Sequence, residues 1–177
     1  MPSPQSDLIA PDLILLLLVA PGVSRYEEHQ LNGITRLEKL LFLADKETSV
    51  ASDTIDAFAF RPYHYGPYSK QVYEAIDLLE EAHLIREERL LEGQTLDEVE
   101  ELDALAEDRE GIERRFRLTR EGVAVAELLA QRNPATYQSL ARIRQKYGAI
   151  PLRQLIRYVY SRYPEYAKES RIADEVM

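Results

Sequence analysis

The first clear feature in the pattern of apolar and polar positions is an uninterrupted apolar block. It spans residues 13–20 and stops at Pro21-Gly22, which predicts a helix from about Pro11 that is buried on nearly all sides. A membrane helix needs roughly 20 apolar residues, and this block has eight, so we expect no membrane association. The residues before it contain no lysine or arginine, which argues against a secretory leader.

The next block predicts a second helix over residues 35–46, because its apolar positions share one helical face. Glu38 follows Thr35 by three residues, which favours a capping box at the helix start. Residues 24–32, before this helix, are polar and predict a loop or a short turn.

A third helix is predicted to begin at Ser69, after an aromatic corner. Residues 55–60 predict a short strand, in which Ala57-Phe58-Ala59-Phe60 is apolar and aromatic. Gly66-Pro67 marks the corner, and after Ser69 the apolar residues return at helical spacing.

The second half of the chain predicts a hairpin followed by helices. Residues 85–91 and 114–118 predict two strands, and in the second strand apolar residues alternate with arginines. Between them lies an acidic insertion at about 92–113, in which apolar residues at steps of three favour a short amphipathic helix. Thr119 can cap the next helix. The remaining predicted helical segments are residues 119–132, 134–146 and 152–162, and a short one from Pro164.

This order of elements predicts a mainly α fold with a small β-hairpin, in the α+β class. Two helices, a short strand, a helix and a hairpin follow one another as in a winged helix-turn-helix-like domain, with the Ser69 helix in the recognition position. We therefore predict a winged-helix-like domain over residues 1–133, which includes the acidic insertion. Residues 134–177 are predicted to form a C-terminal helical extension packed on the same domain.

The charge of the chain is unevenly distributed. The net charge is −9, and residues 92–113 hold ten acidic residues and one arginine, which accounts for all of it. Residues 139–162 hold six basic residues and no acidic one. We expect these basic residues either to form a nucleic-acid face or to pair with the insertion, within the chain or across a homodimer. The insertion is expected to be a solvated acidic helix, with DNA mimicry or binding of a basic partner as alternatives.

The residue types available for chemistry indicate no enzyme. Cysteine is absent, which excludes disulfides, thiol nucleophiles and cysteine-based zinc sites, and which is compatible with the cytoplasmic location that we expect. The three histidines lack the spacing of a metal site. Carboxylates are plentiful without a catalytic pattern, and the glycines form no phosphate loop. We therefore expect no metal, no cofactor and no catalytic residue.

The aromatic corner is the main candidate for binding a partner. Tyrosine offers a large ring with a polar tip and is enriched among the residues that dominate interface energies. The alternative is that these rings pack the corner onto the second helix. The candidate protein-binding residues are Tyr63, His64, Tyr65, Gly66, Pro67 and Tyr68.

Basic residues and one helix start form a second set of candidates. The free N–H groups at the start of the Ser69 helix are suited to a phosphate, although the acidic residues on that helix oppose one. An ordinary capped helix is the alternative. The candidate nucleic-acid-binding residues are Arg61, Ser69, Lys70, Arg142, Arg144, Lys146, Arg153 and Arg157.

Three motifs give the chain a resemblance to a known family. Residues 35–44, TRLEKLLFLA, resemble the RLQKLLFL helix of the YwgA-like proteins and of the related Panacea/SocA antitoxin-like domain. Residues 63–69, YHYGPYS, resemble the YGPYS corner of the former and the GPV corner of the latter. Residues 155–165, LIRYVYSRYPE, are similar to the YVYxxYPE ending of YwgA-like chains. The likeness covers residues 13–172, and the long acidic insertion departs from it.

The resemblance implies a non-enzymatic protein. Panacea/SocA-like domains act as antitoxins or as adaptors that bind a partner protein, and some deliver that partner to a protease. We therefore expect an interaction module whose partner is a toxin or another component of a defence or stress system. A DNA-binding transcriptional regulator is the alternative, and an enzyme or nucleotide sensor with a pocket near the tyrosines is a minor third hypothesis.

Overall fold

Helices make up most of the computed structural model, which describes residues 7–22, 28–52, 54, 57–91 and 112–177. Together with small antiparallel sheets they confirm the predicted α+β class. In chain order the helices are α1 (Ala10–Val19), α2 (Ile34–Glu47), α3 (Lys70–Glu81), α4 (Arg120–Arg132), α5 (Pro134–Tyr147), α6 (Leu152–Arg162) and α7 (Ala173–Val176). The strands are β1 (Gln30–Asn32), β2 (Arg61–Tyr63), β3 (Gly66–Tyr68), β4 (Ile85–Leu91) and β5 (Ile112–Leu118). Short 3₁₀ segments lie at Ser49–Ser52 and Pro164–Tyr166.

Helix α1 lies in the centre of the hydrophobic core. Every side chain from Leu13 to Leu18 is at most 2% exposed, because α3, α4 and α5 all pack against this helix. The prediction of a helix buried on nearly all sides is confirmed. Within the described residues, no helix combines the length and the apolar character needed to cross a bilayer.

The start of α2 differs from the predicted capping box. The helix follows Gly33, which has a φ of +87° and whose N–H donates to the carbonyl of Arg114 at 2.7 Å. Thr35 is buried within the first turn, and Glu38 accepts a hydrogen bond from the backbone of Ser69 instead of capping its own helix. The capping-box prediction is therefore wrong, because the helix begins one residue before Thr35 and the carboxylate of Glu38 is bonded to the start of α3.

The predicted hairpin forms from β4 and β5, with Ile85 opposite Leu118. Strand β1 pairs with the other edge of β5, which gives the sheet order β1-β5-β4. The prediction of a loop or turn over residues 24–32 is wrong for Gln30–Asn32. Leu31 is the single buried residue of this strand. A single inward residue does not produce an alternating pattern that could be recognised in the sequence.

The strand predicted over residues 55–60 is wrong in its described part, residues 57–60, which pair with no other strand. Ala59 has a φ of +43° there, which interrupts an extended backbone. Phe60 packs edge-on against Phe42 with ring centroids 5.3 Å apart, so the aromatic residues of this stretch fill the core. The paired strands come directly after it, as the hairpin of β2 and β3.

The C-terminal helices join the same core. Helix α5 packs against α1 and α2, and α6 packs against α2. Thr119 caps α4 as predicted, since its Oγ accepts a hydrogen bond from the N–H of Gly122. Residues 92–111, with most of the acidic insertion and its predicted helix, lie outside the described residues.

Candidate functional site

The corner between β2 and α3 requires a glycine at position 66. Gly66 has a φ of +94°, a conformation that other residues rarely adopt. A Cβ atom at this position would lie 2.8 Å from Cε1 of Tyr160 and 3.4 Å from Cε of Lys39. The backbone of the corner therefore lies directly against α6 and α2.

Two charged residues of α2 hold the corner from below. The buried Nζ of Lys39 donates to the carbonyl of Pro67 at 3.1 Å. Oε1 of the buried Glu38 accepts the backbone N–H of Ser69 at 3.1 Å. The hydroxyl of Ser69 donates to the carbonyl of Phe58 at 2.5 Å. These bonds satisfy the backbone polar groups of a buried turn and give the hairpin a fixed position relative to α2.

Glu38 is the most strongly perturbed carboxyl group of the corner. Burial raises its pKa from 4.5 to about 7, against the opposing effects of the neighbouring Lys39 charge and of the Ser69 N–H. Burial dominates because the charged form loses its hydration. The carboxyl group therefore titrates near neutral pH while it supports the corner.

A row of aromatic rings lies on the outer side of this corner. His64 stacks on Tyr63 with centroids 4.1 Å apart, Tyr63 lies 5.0 Å from Tyr68, and Tyr68 lies 5.5 Å from Tyr73 of α3. Tyr63 is 39% exposed. The guanidinium of Arg61 lies 5.7 Å from the Tyr63 ring and 5.3 Å from the Tyr68 ring, within the range of cation–π attraction. We call these five residues the aromatic patch.

The predicted protein-binding residues divide into two groups in the structure. Tyr63, His64 and Tyr68 belong to the aromatic patch, and Tyr65 is half-buried. Gly66 and Pro67 are buried, so they support the patch and their prediction as contact residues is wrong. The physical reason is that a corner this tight brings its own backbone against α2 and α6.

Tyr73 of the aromatic patch and Arg114, which lies beside it, were not identified from the sequence. Tyr73 lies one turn into α3, and its ring faces Arg114 of β5, whose guanidinium lies 6.0 Å from it. The sequence did contain a signal for Tyr73, because it is an aromatic residue in a predicted helix but lies outside the apolar face of that helix. The position of Arg114 depends on how the sheet packs on α3, for which the sequence has no signal.

Ser69 does not offer a phosphate site. Its side chain and backbone are 1% exposed, and its N–H is already bonded to Glu38. Lys70 is exposed and forms an ion pair with Glu74 at 2.7 Å. The prediction that Ser69 contacts nucleic acid is therefore wrong, because the start of α3 is an internal anchor.

Arg144 is also placed differently from its prediction. It is 2% exposed, and its guanidinium donates to the carbonyls of Leu17, Leu18 and Gln30 at 2.8, 2.7 and 2.5 Å. Two of these carbonyls belong to the last turn of α1, where a cation complements the helix dipole. The prediction that Arg144 lies on a nucleic-acid face is wrong, since this side chain joins α5, α1 and β1 internally.

The other predicted basic residues are bonded to nearby groups. Arg153 donates to the carbonyl of Glu175 at 3.1 Å, and Arg157 donates to the carbonyl of Val176, so both hold the C-terminal helix α7. Arg142 donates to Ser139 Oγ at 3.4 Å. Lys146 lies 3.8 Å from Glu47. Their role in binding nucleic acid stays a prediction.

A tyrosine–carboxylate cluster beside α5 was not anticipated. The hydroxyls of Tyr147 and Tyr158 donate to the two oxygens of Glu47 at 2.5 and 2.7 Å. Burial and the bond to Glu47 raise the pKa of Tyr147 to about 12, and burial raises that of Tyr158 as well. Both phenols therefore stay protonated at neutral pH and tie α2, α5 and α6 together, without providing a base or a nucleophile.

No protein-family model matches the chain, and no curated protein or solved structure gives a significant match. The resemblance to YwgA-like proteins and to the Panacea/SocA domain therefore stays a prediction.

Proposed function

We propose that this chain is a non-enzymatic interaction module of winged-helix type, which binds a partner protein through the aromatic patch. The order α1, β1, α2, α3, β4, β5 and the sheet order β1-β5-β4 support the winged-helix arrangement. In that arrangement α3 holds the recognition position, and the aromatic patch lies at its start. The resemblance to antitoxin-like and adaptor domains supports a toxin or another defence component as the partner.

The aromatic patch is the observation that carries the proposal. Tyrosine and arginine are the residue types that most often dominate protein interfaces, and here four rings lie in one row with an arginine over two of them. The rings restrain one another before any partner arrives, which lowers the entropy lost on binding. The corner beneath them is bonded to α2, and the N–H of Arg171 donates to the carbonyl of His64 at 2.8 Å.

The same region favours a protein partner over DNA. The buried Ser69 removes the helix-start phosphate contact, and Lys70, the next cation, is paired with Glu74. A duplex held mainly through its phosphates requires several free cations on one face. The aromatic patch instead offers aromatic rings and one arginine, which suit a partner protein whose surface has apolar and hydrogen-bonding groups.

The test is a pulldown of the tagged full chain from its native cells, with nuclease treatment throughout. The test variant is Tyr63→Ala/Tyr68→Ala, and the matched control is Tyr137→Ala, which removes a half-buried tyrosine from α5. We expect one stoichiometric protein that survives nuclease, binds wild type and the control alike, and is reduced at least about tenfold with the test variant, as hot-spot truncation predicts.

Two results would contradict the proposal. Equal recovery of the partner with the test variant would exclude the aromatic patch as its binding surface. Recovery of DNA alone, released by moderate salt, would place a DNA-binding regulator first, since binding through phosphates weakens steeply with salt. Circular dichroism of each variant shows whether the fold is retained.

A further inference from the structure

A second candidate site lies on the sheet, between the end of α3 and the start of α4. A shallow cavity of about 650 Å³ opens there, which is within the size range of small-molecule sites. Its walls come from the α3–β4 turn, from β4 and β5, and from the first residues of α4. The charged residues that line it are Glu80, Arg86, Arg117, Arg120 and Glu121, and His83 lies among them.

Two of these arginines lie directly opposite each other. Arg86 of β4 pairs in register with Arg117 of β5, so both side chains stand on the same face of the sheet. Like charges in this position destabilise a strand pair. Nε and Nη2 of Arg117 donate to Oε1 of Gln30 at 3.2 and 2.7 Å. These two bonds orient the guanidinium, and the neutral amide of Gln30 does not balance its charge.

Elsewhere in the same hairpin the arginines are neutralised. Arg114 donates twice to Glu87, at 2.8 and 3.0 Å, and Arg115 lies 3.6 Å from Glu88. The Arg86–Arg117 row differs, since neither member has a carboxylate within 4.0 Å among the described residues. Glu80 and Glu121 line the same cavity without forming an ion pair to this row.

The start of α4 adds a third arginine to the lining of the cavity. Arg120 is the first residue of α4 and lines the cavity together with the Arg86–Arg117 row. Thr119 Oγ bonds the Gly122 N–H at 2.9 Å and donates to the carbonyl of His83 at 2.7 Å. These two bonds hold the start of α4, which carries Arg120, in place against the α3–β4 turn, while Arg86 and Arg117 are carried by the paired strands β4 and β5.

We propose that this cavity binds a phosphate group, held by Arg86 and Arg117 with Arg120 completing the site. Guanidinium groups form paired, charge-assisted hydrogen bonds to phosphate oxygens, and a dianion placed between Arg86 and Arg117 removes their mutual repulsion. The phosphate is carried either by a small molecule or by a nucleic-acid backbone. This site is separate from the aromatic patch and does not depend on the proposed protein partner.

The test is a titration of the isotope-labelled full chain, followed through its backbone amide signals by nuclear magnetic resonance. The probes are inorganic phosphate, pyrophosphate and a short DNA duplex, at low ionic strength and constant pH. The test variant is Arg86→Gln/Arg117→Gln. The matched control, Arg89→Gln/Arg132→Gln, removes two exposed arginines that do not line the cavity. The untouched signals of each variant report whether it is folded.

We expect pyrophosphate to shift the amide signals of Arg120 and Glu121 with saturation, in wild type and in the control. The dissociation constant should rise at least about tenfold in the test variant. A duplex that shifts the same amides, and that competes with pyrophosphate, would identify a nucleic-acid backbone as the source. A duplex without effect would identify a small molecule. The absence of saturable shifts with all three probes, or equal affinity in the folded test variant, would overturn the proposal.

Discussion

The starts of α3 and α4 have closely similar sequences and opposite surroundings. Ser69-Lys70-Gln71 opens α3, and Thr119-Arg120-Glu121 opens α4. The hydroxyl of Ser69 donates to the carbonyl of Phe58 and does not cap the backbone of its own helix, and its N–H is bonded to Glu38. The hydroxyl of Thr119 accepts the N–H of Gly122 as an ordinary cap, beside an open cavity lined by arginines.

This difference shows that a hydroxyl before a helix does not by itself indicate a binding site. At α3 the surrounding core has already taken the polar groups that a phosphate would use. At α4 the cap serves only its own helix and the adjoining turn, and the neighbouring arginines of the sheet lack carboxylate partners among the described residues. The start of α3 positions the aromatic patch from below, and the start of α4 forms one wall of the proposed phosphate site.

The two largest expected effects are of similar size, and the first concerns the corner that leads into α3. Gly66→Ala places a side chain at a φ of +94° with its Cβ 2.8 Å from Tyr160. Backbone strain and steric overlap together should lower the free energy of unfolding by about 3 kcal/mol. Urea unfolding followed by circular dichroism measures it. A loss below about 0.5 kcal/mol, the range of ordinary surface substitutions, would show that the corner is not held by this close contact.

The next effect concerns pH, because burial raises the pKa of Glu38 from 4.5 to about 7. Because the folded-state pKa of this carboxyl group is raised, its contribution to the free energy of unfolding is fully present below pH 4.5. The contribution is lost as the pH rises through about 7. The loss should be about 3 kcal/mol. Glu38→Gln keeps an acceptor for the Ser69 N–H and does not titrate. The stability of Glu38→Gln relative to wild type should therefore rise over that interval.

Urea unfolding of both proteins at a series of pH values measures this difference. Other titrating groups are common to the two proteins and cancel in it. A difference that stays constant from acidic to slightly alkaline pH would mean that Glu38 ionises as easily in the folded chain as in the unfolded one.

The smallest expected effect compares the two helix starts directly. Ser69→Ala removes the hydroxyl that satisfies the buried carbonyl of Phe58, which should cost about 2 kcal/mol. Thr119→Ala removes an ordinary cap, which should cost about 1 kcal/mol. Both values come from urea unfolding under identical conditions. If Thr119→Ala proved the more costly of the two, the distinction between an internal anchor and an ordinary cap would be lost.

Much of the helical framework could be predicted from the sequence. The limits of α6 agree with its prediction, and those of α1 and α5 agree within one residue. Helix α3 begins within one residue of its predicted start, and the β4–β5 hairpin and the Thr119 cap were also anticipated. These features depend on local periodicity and on groups only a few residues apart. The short strand β1 and the β2–β3 hairpin were missed, because strands of three residues are too short to show a period.

The candidate sites could be predicted only in part. The tyrosine corner was recognised, because a glycine–proline corner between aromatic residues has a local signal. The burial of Arg144 had no local signal, because its guanidinium donates to the carbonyl of Leu17, which lies 127 residues away in the chain. The pairing of Arg86 with Arg117 depends on the register of a hairpin whose connecting residues, 92–111, separate the two strands.

The sequence by itself determined the helical periods, the α+β class, the tyrosine corner and the concentration of negative charge in one segment. Each of these is a property of residues close together in the chain. The tertiary structure alone decided which polar groups face solvent. It buried Ser69, Lys39 and Arg144 and left the Arg86–Arg117 row at the surface, because hydrogen-bond partners for buried groups come from distant segments that only packing brings together.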